Sequence, residues 1–94
     1  MSQEITVRVR IEGRVQGVWY RSWTVDQATA RGLTGWVRNR RDGSVEALFR
    51  GPEHAVHDMV WVCGKGPPAA RVSNVVDTPS AEQCDEQFRQ LPTE

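Results

Sequence analysis

Net charge is the first thing this chain lacks. Twelve basic residues balance twelve acidic ones over 94 residues. A general polyanion binder carries a net basic field, so nucleic acid is disfavoured as a partner. Long apolar runs are missing too: no segment approaches the ~18 consecutive apolar residues of a membrane span. The first dozen residues have no apolar core of the kind a signal peptide needs, so the expected setting is cytoplasmic, with no membrane partner. Cysteine is scarce. Cys63 and Cys84 stand without CxxC spacing, too little for a disulfide framework or a zinc site, and inert thiols are expected, a mutual pairing being left open. His54 and His57 stand three apart with no third or fourth ligand nearby, so surface histidines and no metal are expected.

What remains is patterned as one domain over residues 1–94, large enough for a single core. Ile5, Val7, Val9 and Ile11 alternate with Thr6, Arg8, Arg10 and Glu12, which is the period of a strand with one buried face. From Tyr20 to Arg31 there is neither proline nor glycine. Tyr20, Thr24 and Ala28 fall on one helical face, and Gly32 stops the segment. Leu33 to Arg40 reads as a second strand, Asp42-Gly43 as a hairpin turn, and Ser44 to Arg50 as a third strand with Val45, Ala47 and Phe49 on one face. Gly51-Pro52 is expected to break that strand and open a second helix, in which Val56, Met59, Val60 and Cys63 make an amphipathic stripe. Gly64, Gly66, Pro67 and Pro68 end it; Val72 to Asp77 is a fourth strand, and a short one near Glu86 to Leu91 closes the chain. The order β-α-β-β-α-β predicts an α+β fold, a ferredoxin-like sandwich with an antiparallel sheet and two helices on one face.

The chemistry concentrates in Gly13-Arg14-Val15-Gln16-Gly17-Val18-Trp19-Tyr20-Arg21, between the first strand and the first helix. Glycine lets backbone amides approach an anion closely, and a helix N-terminus adds unpaired N–H donors and a favourable dipole. Arginine supplies a planar fork of donors suited to phosphate oxygens. Together they describe a cradle for a small oxyanion, phosphate first. Neither this segment nor Gly35-Trp36-Val37-Arg38-Asn39 holds a histidine, cysteine or carboxylate placed as nucleophile or base.

These two motifs, with Gly43, Val45 and Gly51 after the second and the stretch Gly66-Pro67-Pro68-Ala69-Ala70-Arg71-Val72 beyond, resemble a small acylphosphatase. The first matches that family's G-x-V-Q-G-V-x-F-R except that Tyr20 stands at the phenylalanine, so its hydroxyl needs a partner if buried. The resemblance implies hydrolysis of a small acyl phosphate; direct in-line attack by water, without cofactor or metal, is the expected route, and a monomer is expected because no large apolar helix face is left over. It implies that Arg21 anchors the phosphoryl group and that backbone N–H groups of Val15, Gln16, Gly17, Val18, Trp19 and Tyr20 hold its remaining oxygens. Asn39 would orient the attacking water. An acyl phosphate suits so sparse a site: its leaving group is a carboxylate, which needs no protonation, so positioning and charge stabilisation suffice.

Blander readings stand beside these. A phosphate cradle also serves a non-catalytic anion-binding regulatory module. An RNA-binding domain on the same fold would need aromatics on the open sheet face within a basic field, and the strands carrying Val7, Val9 and Val45 do not supply the usual pair. Arg38, Arg40 and Arg41 read as a solvated hairpin, and most of the tryptophans as core packing or cover for a sheet face. Trp19, inside the loop, is the one placed to meet an acyl group.

Overall fold

The computed structural model describes residues 3–94. The elements are β1 (Glu4–Arg14), α1 (Tyr20–Ala30), β2 (Thr34–Asn39), β3 (Val45–Pro52), α2 (Glu53–Cys63), β4 (Arg71–Pro79) and β5 (Phe88–Gln90). The strands form one sheet in the order β4-β1-β3-β2-β5. β1 pairs antiparallel with both β3 and β4, and β2 antiparallel with β3. This is the ferredoxin-like α+β fold.

The core follows from the alternation in the strands and the stripes on the helices. Val7, Val9, Ile11, Val37, Val45, Ala47 and Phe49 point into one cluster with Tyr20 and Ala28 of α1 and Ala55, Val56, Met59 and Cys63 of α2. Both helices therefore cover one sheet face. The opposite face is built differently. Register places Leu48 between Arg8 and Trp36, and Arg10 and Arg38 on either side of Glu46. Leu48 is fully buried there, and Trp36 lies under the Arg38 guanidinium at 4.5 Å from its ring centroid.

The four antiparallel strands that the sequence pattern predicts are all present, and the short fifth strand joins them in parallel. β5 pairs parallel with β2, Gly35 facing Phe88 and Val37 facing Gln90. After β4 the chain crosses to the far edge of the sheet over the outer face. On that path Glu82 accepts a hydrogen bond from Trp36 Nε1 at 2.9 Å and pairs with Arg8. Crossing four strand spacings needs roughly 19 Å, well within reach of eight extended residues. Phe88 then stacks on Phe49, ring centroids 5.5 Å apart, and covers the free edge of β2.

Two smaller expectations also change. β3 runs on through Gly51 to Pro52, which pairs with Glu4; proline is tolerated as the last residue of the strand, with φ −56° and ψ 139°. Arg38 is not part of a solvated hairpin, since Glu46 and Glu94 both pair with it. Of the tryptophans, Trp23 packs on the core, whereas Trp61 stays exposed with the Lys65 ammonium over its ring.

Candidate active site

The loop between β1 and α1 leaves the sheet through a bulge. Register along β1 and β4 shifts between Glu12 and Gly13, and Gly13 has φ 125°. A Cβ at Gly13 would lie 2.2 Å from the carbonyl oxygen of Arg71, so only glycine lets the two strands stay closed here. Gly17 turns the loop with φ 73° in open space, where backbone conformation rather than crowding selects glycine. Trp19 adopts the same left-handed region, φ 65° and ψ 21°, at the N-cap of α1. For a residue with a side chain this costs on the order of 1 kcal/mol. The strained turn leaves the indole 82% exposed at the rim of the site.

α1 begins with no side-chain cap and no acidic residue in its first turn. The amides of Tyr20, Arg21 and Ser22 are thus without intrahelical partners, and the positive end of the helix dipole faces the loop. Trp23 N–H donates the first helical bond, to Trp19 O at 3.0 Å. Tyr20 pins this end of the helix. Its hydroxyl donates to Cys63 O at 2.6 Å, and Thr24 Oγ1 donates back to Tyr20 O at 2.8 Å. The partner required by a buried tyrosine hydroxyl is therefore the last carbonyl of α2. Burial, and then the neighbouring Cys63, push the Tyr20 phenol far above its ordinary range. Burial likewise pushes the Cys63 thiol up to about 12. Neither group is a candidate nucleophile.

Asn39 ends β2, opposite Val45. Its carbonyl accepts from Glu94 N–H at 3.0 Å, and Leu91 N–H donates to Val37 O at 2.8 Å, so the C-terminal residues brace the strand. The following hairpin is closed by Arg40 N–H to Ser44 O at 2.8 Å. Asp42 accepts from Ser44 N–H and Oγ and pairs with Arg10, and these contacts, the Ser44 hydrogen bonds first, hold its carboxyl well below the usual range. Gln16 ties the loop to this hairpin: Nε2 donates to Arg40 O at 2.7 Å and to Ser44 O at 2.8 Å. Gln16 thus adds a polar tie between the loop and the residues that follow Asn39, beside the burial of Val15 and Val18 in the core.

A cleft of about 310 Å³ opens between them, lined by Val15, Gly17, Trp19, Tyr20, Arg21, Ser22, Asn39 and Gln90. Arg21 and Asn39, far apart in sequence, meet here with four of the six loop residues expected around a phosphate. The other two differ. Gln16 turns its side chain to the hairpin, and Val18, nearly buried, lines a neighbouring cleft with Arg14 and Arg71. Ser22 and Gln90 were not anticipated. Ser22 could have been read as the third residue of the helix starting at Tyr20, whereas Gln90 arrives only through the parallel pairing of β5.

Charge is distributed unevenly around this cleft. Arg8, Arg10, Arg31, Arg38, Arg40, Arg50 and Arg89 each pair with a carboxylate. Among the described residues, Arg14, Arg21, Arg41 and Arg71 pair with none, and neither Arg21 nor Asn39 spends its side chain on a protein hydrogen bond. A half-buried arginine and an amide, both unengaged in one cleft beside free helix amides, are donors of the kind that suit an anion. His54 and His57 are exposed on α2, and no group of three or more metal-ligating side chains occurs among the described residues.

Comparison with known proteins identifies the family. The acylphosphatase family model matches residues 7–90. An acylphosphatase of Rhodospirillum rubrum is 57% identical over 88 residues, spanning 94% of this chain and 97% of that protein. One from Bradyrhizobium diazoefficiens is 54% identical, spanning 99% of each. Among solved structures, an acylphosphatase from Coxiella burnetii superposes with a TM-score of 0.90 at 33% identity, covering 94% of this chain and 93% of that one.

Proposed function

The chain belongs to the acylphosphatase family and hydrolyses acyl phosphates, and on that premise we propose a mechanism in which Arg21 and Asn39 carry the reaction. Arg21 holds two phosphoryl oxygens in its fork. The backbone N–H groups of residues 15–20 hold the rest. Asn39 accepts a hydrogen bond from a water molecule and orients its oxygen toward phosphorus. The water oxygen bonds to phosphorus as the bond from phosphorus to the acyl oxygen breaks, and the carboxylate leaves with the electron pair. Both water protons end on the phosphate, so an acyl phosphate dianion gives a carboxylate and dihydrogen phosphate. An amide is too weak a base to take the proton, and the phosphoryl oxygens are the basic groups at hand. Trp19, exposed at the rim, offers its ring to the acyl group.

One observation supports this reading above the rest: the unpaired Arg21 and the unengaged Asn39 line one cleft with the loop amides. The experiment is hydrolysis of benzoyl phosphate, with inorganic phosphate as competitor and EDTA present. Turnover inhibited competitively by phosphate and indifferent to EDTA is expected. Turnover abolished by EDTA overturns the mechanism. We also propose a cytoplasmic monomer: Cys63 and Cys84 suit a reducing compartment, and among the described residues the large exposed hydrophobics are only Trp19, Trp61 and Val76. Sedimentation at micromolar concentration tests the second point.

A further inference from the structure

A second cleft adjoins the first. Arg14 and Arg71 line it with residues 68–70, Gly17 and Val18, and Gly17 is shared with the phosphate cleft. The two arginines are direct partners across the β1–β4 ladder, just past the bulge at Gly13. Like charges facing each other across strands are destabilising. Both side chains are exposed, and among the described residues no carboxylate comes to relieve them, although carboxylates do so for most arginines of this chain. The pair leaves two guanidinium forks open to solvent beside the phosphate cleft.

The direction of the reaction suggests an anion for them. In-line displacement puts the attacking water and the departing oxygen on opposite sides of phosphorus. In the sheet order β4-β1-β3-β2, Asn39 lies on the β2 side of the loop and the arginine pair on the β4 side. Water held at Asn39 therefore sends the acyl group toward Arg14 and Arg71. We propose that these two arginines form a subsite for the far end of the acyl chain, selecting acyl phosphates of dicarboxylic acids, whose distal carboxylate fits the guanidinium fork. This inference rests on the assignment of the water to Asn39.

The test compares succinyl and glutaryl phosphate with butyryl and valeryl phosphate, which match them in length without the second charge. Wild type should favour the charged substrates roughly fivefold in kcat/KM, through KM, the size of effect exposed ion pairs supply. Arg14→Ala and Arg71→Ala should each erode that preference and the double variant remove it, with kcat at saturating butyryl phosphate held within about twofold. Arg50→Ala, which removes a charge at the other end of the sheet, should leave the preference intact. No preference in wild type, a preference that survives in the double variant, or equal erosion by Arg50→Ala overturns the subsite. Asn39→Ala on butyryl phosphate separates the two layers: lost turnover there with no charge preference in wild type sinks the subsite alone, and retained turnover sinks the reading beneath it.

Discussion

The roles proposed for Arg21 and Asn39 are separable, and substitutions should separate them. Removing a charge-stabilising arginine or a water-orienting amide each forfeits on the order of 3–5 kcal/mol of transition-state stabilisation, or ~10²–10⁴ in rate. Arg21→Ala should lose both rate and phosphate inhibition, and Arg21→Lys should fail too, because an ammonium cannot reproduce the fork. Asn39→Ala should lose kcat while phosphate still competes; activity above about half of wild type would remove Asn39 from water positioning, being far short of a tenfold loss. Tyr20 and Cys63 make a different prediction. Burial raises the pKa of each, so their contribution to stability is intact below the unfolded values, ~8.5 for thiol and ~10 for phenol, and declines as pH rises past them. The urea midpoint should therefore fall steadily above pH ~8.5, and at pH 8 a thiol reagent should label Cys84 but spare Cys63 until the chain unfolds. A flat midpoint up to pH ~11 would contradict that burial.

Among the elements, the contact between the loop and the β2–β3 hairpin rests on the two hydrogen bonds from Gln16. Gln16→Ala should cost about 1 kcal/mol in urea unfolding, since it removes one hydrogen bond from each of two carbonyls that keep a backbone partner, Gly43 N–H on Arg40 O and Arg40 N–H on Ser44 O. It should also lower kcat about tenfold by letting Asn39 drift from the phosphate, while the inhibition constant for phosphate rises less. A stability loss with unchanged kcat would leave Gln16 a structural tie only. The backbone of this arrangement is legible in the residues: β1 by its alternation, the hairpin by Asp42-Gly43, α1 by its freedom from proline and glycine, the loop between β1 and α1 by its glycines. Gln16 was read for its backbone amide, and nothing local in the sequence says that its side chain reaches a hairpin more than twenty residues away. β5 was placed as a strand but not paired, because three residues carry no periodicity that reveals a partner. Its pairing is decided by Phe88 stacking on Phe49 and by the crossing over the outer face, both of which are contacts remote in sequence.

For the molecule as a whole, a net charge of zero conceals a field. The outer sheet face neutralises itself, Glu46 alone drawing in Arg8, Arg38 and Arg40. The unpaired arginines Arg14, Arg21, Arg41 and Arg71 fall at the end of β1, the start of α1, the β2–β3 hairpin and the start of β4, the end of the sheet where the cleft opens. The rest of the chain sets eight basic residues against twelve acidic ones, so a dianionic substrate should be repelled there and drawn to this end. Such attraction acts over a Debye length, about 30 Å at 0.01 M and about 3 Å at 1 M ionic strength. Raising salt over that range should lower kcat/KM for benzoyl phosphate several-fold, while kcat at saturation, set by groups already in contact with phosphate, should change far less. The anion of the salt must be one that does not compete for the cradle, so chloride serves and sulfate does not. Arg41→Ala is the informative variant: its side chain lines neither the phosphate cleft nor the Arg14–Arg71 cleft. If the field steers the substrate, that variant should lower kcat/KM at low salt and match wild type at high salt. A salt response identical in both would assign the effect to local screening at Arg21 and leave the distribution of charge without a role in capture.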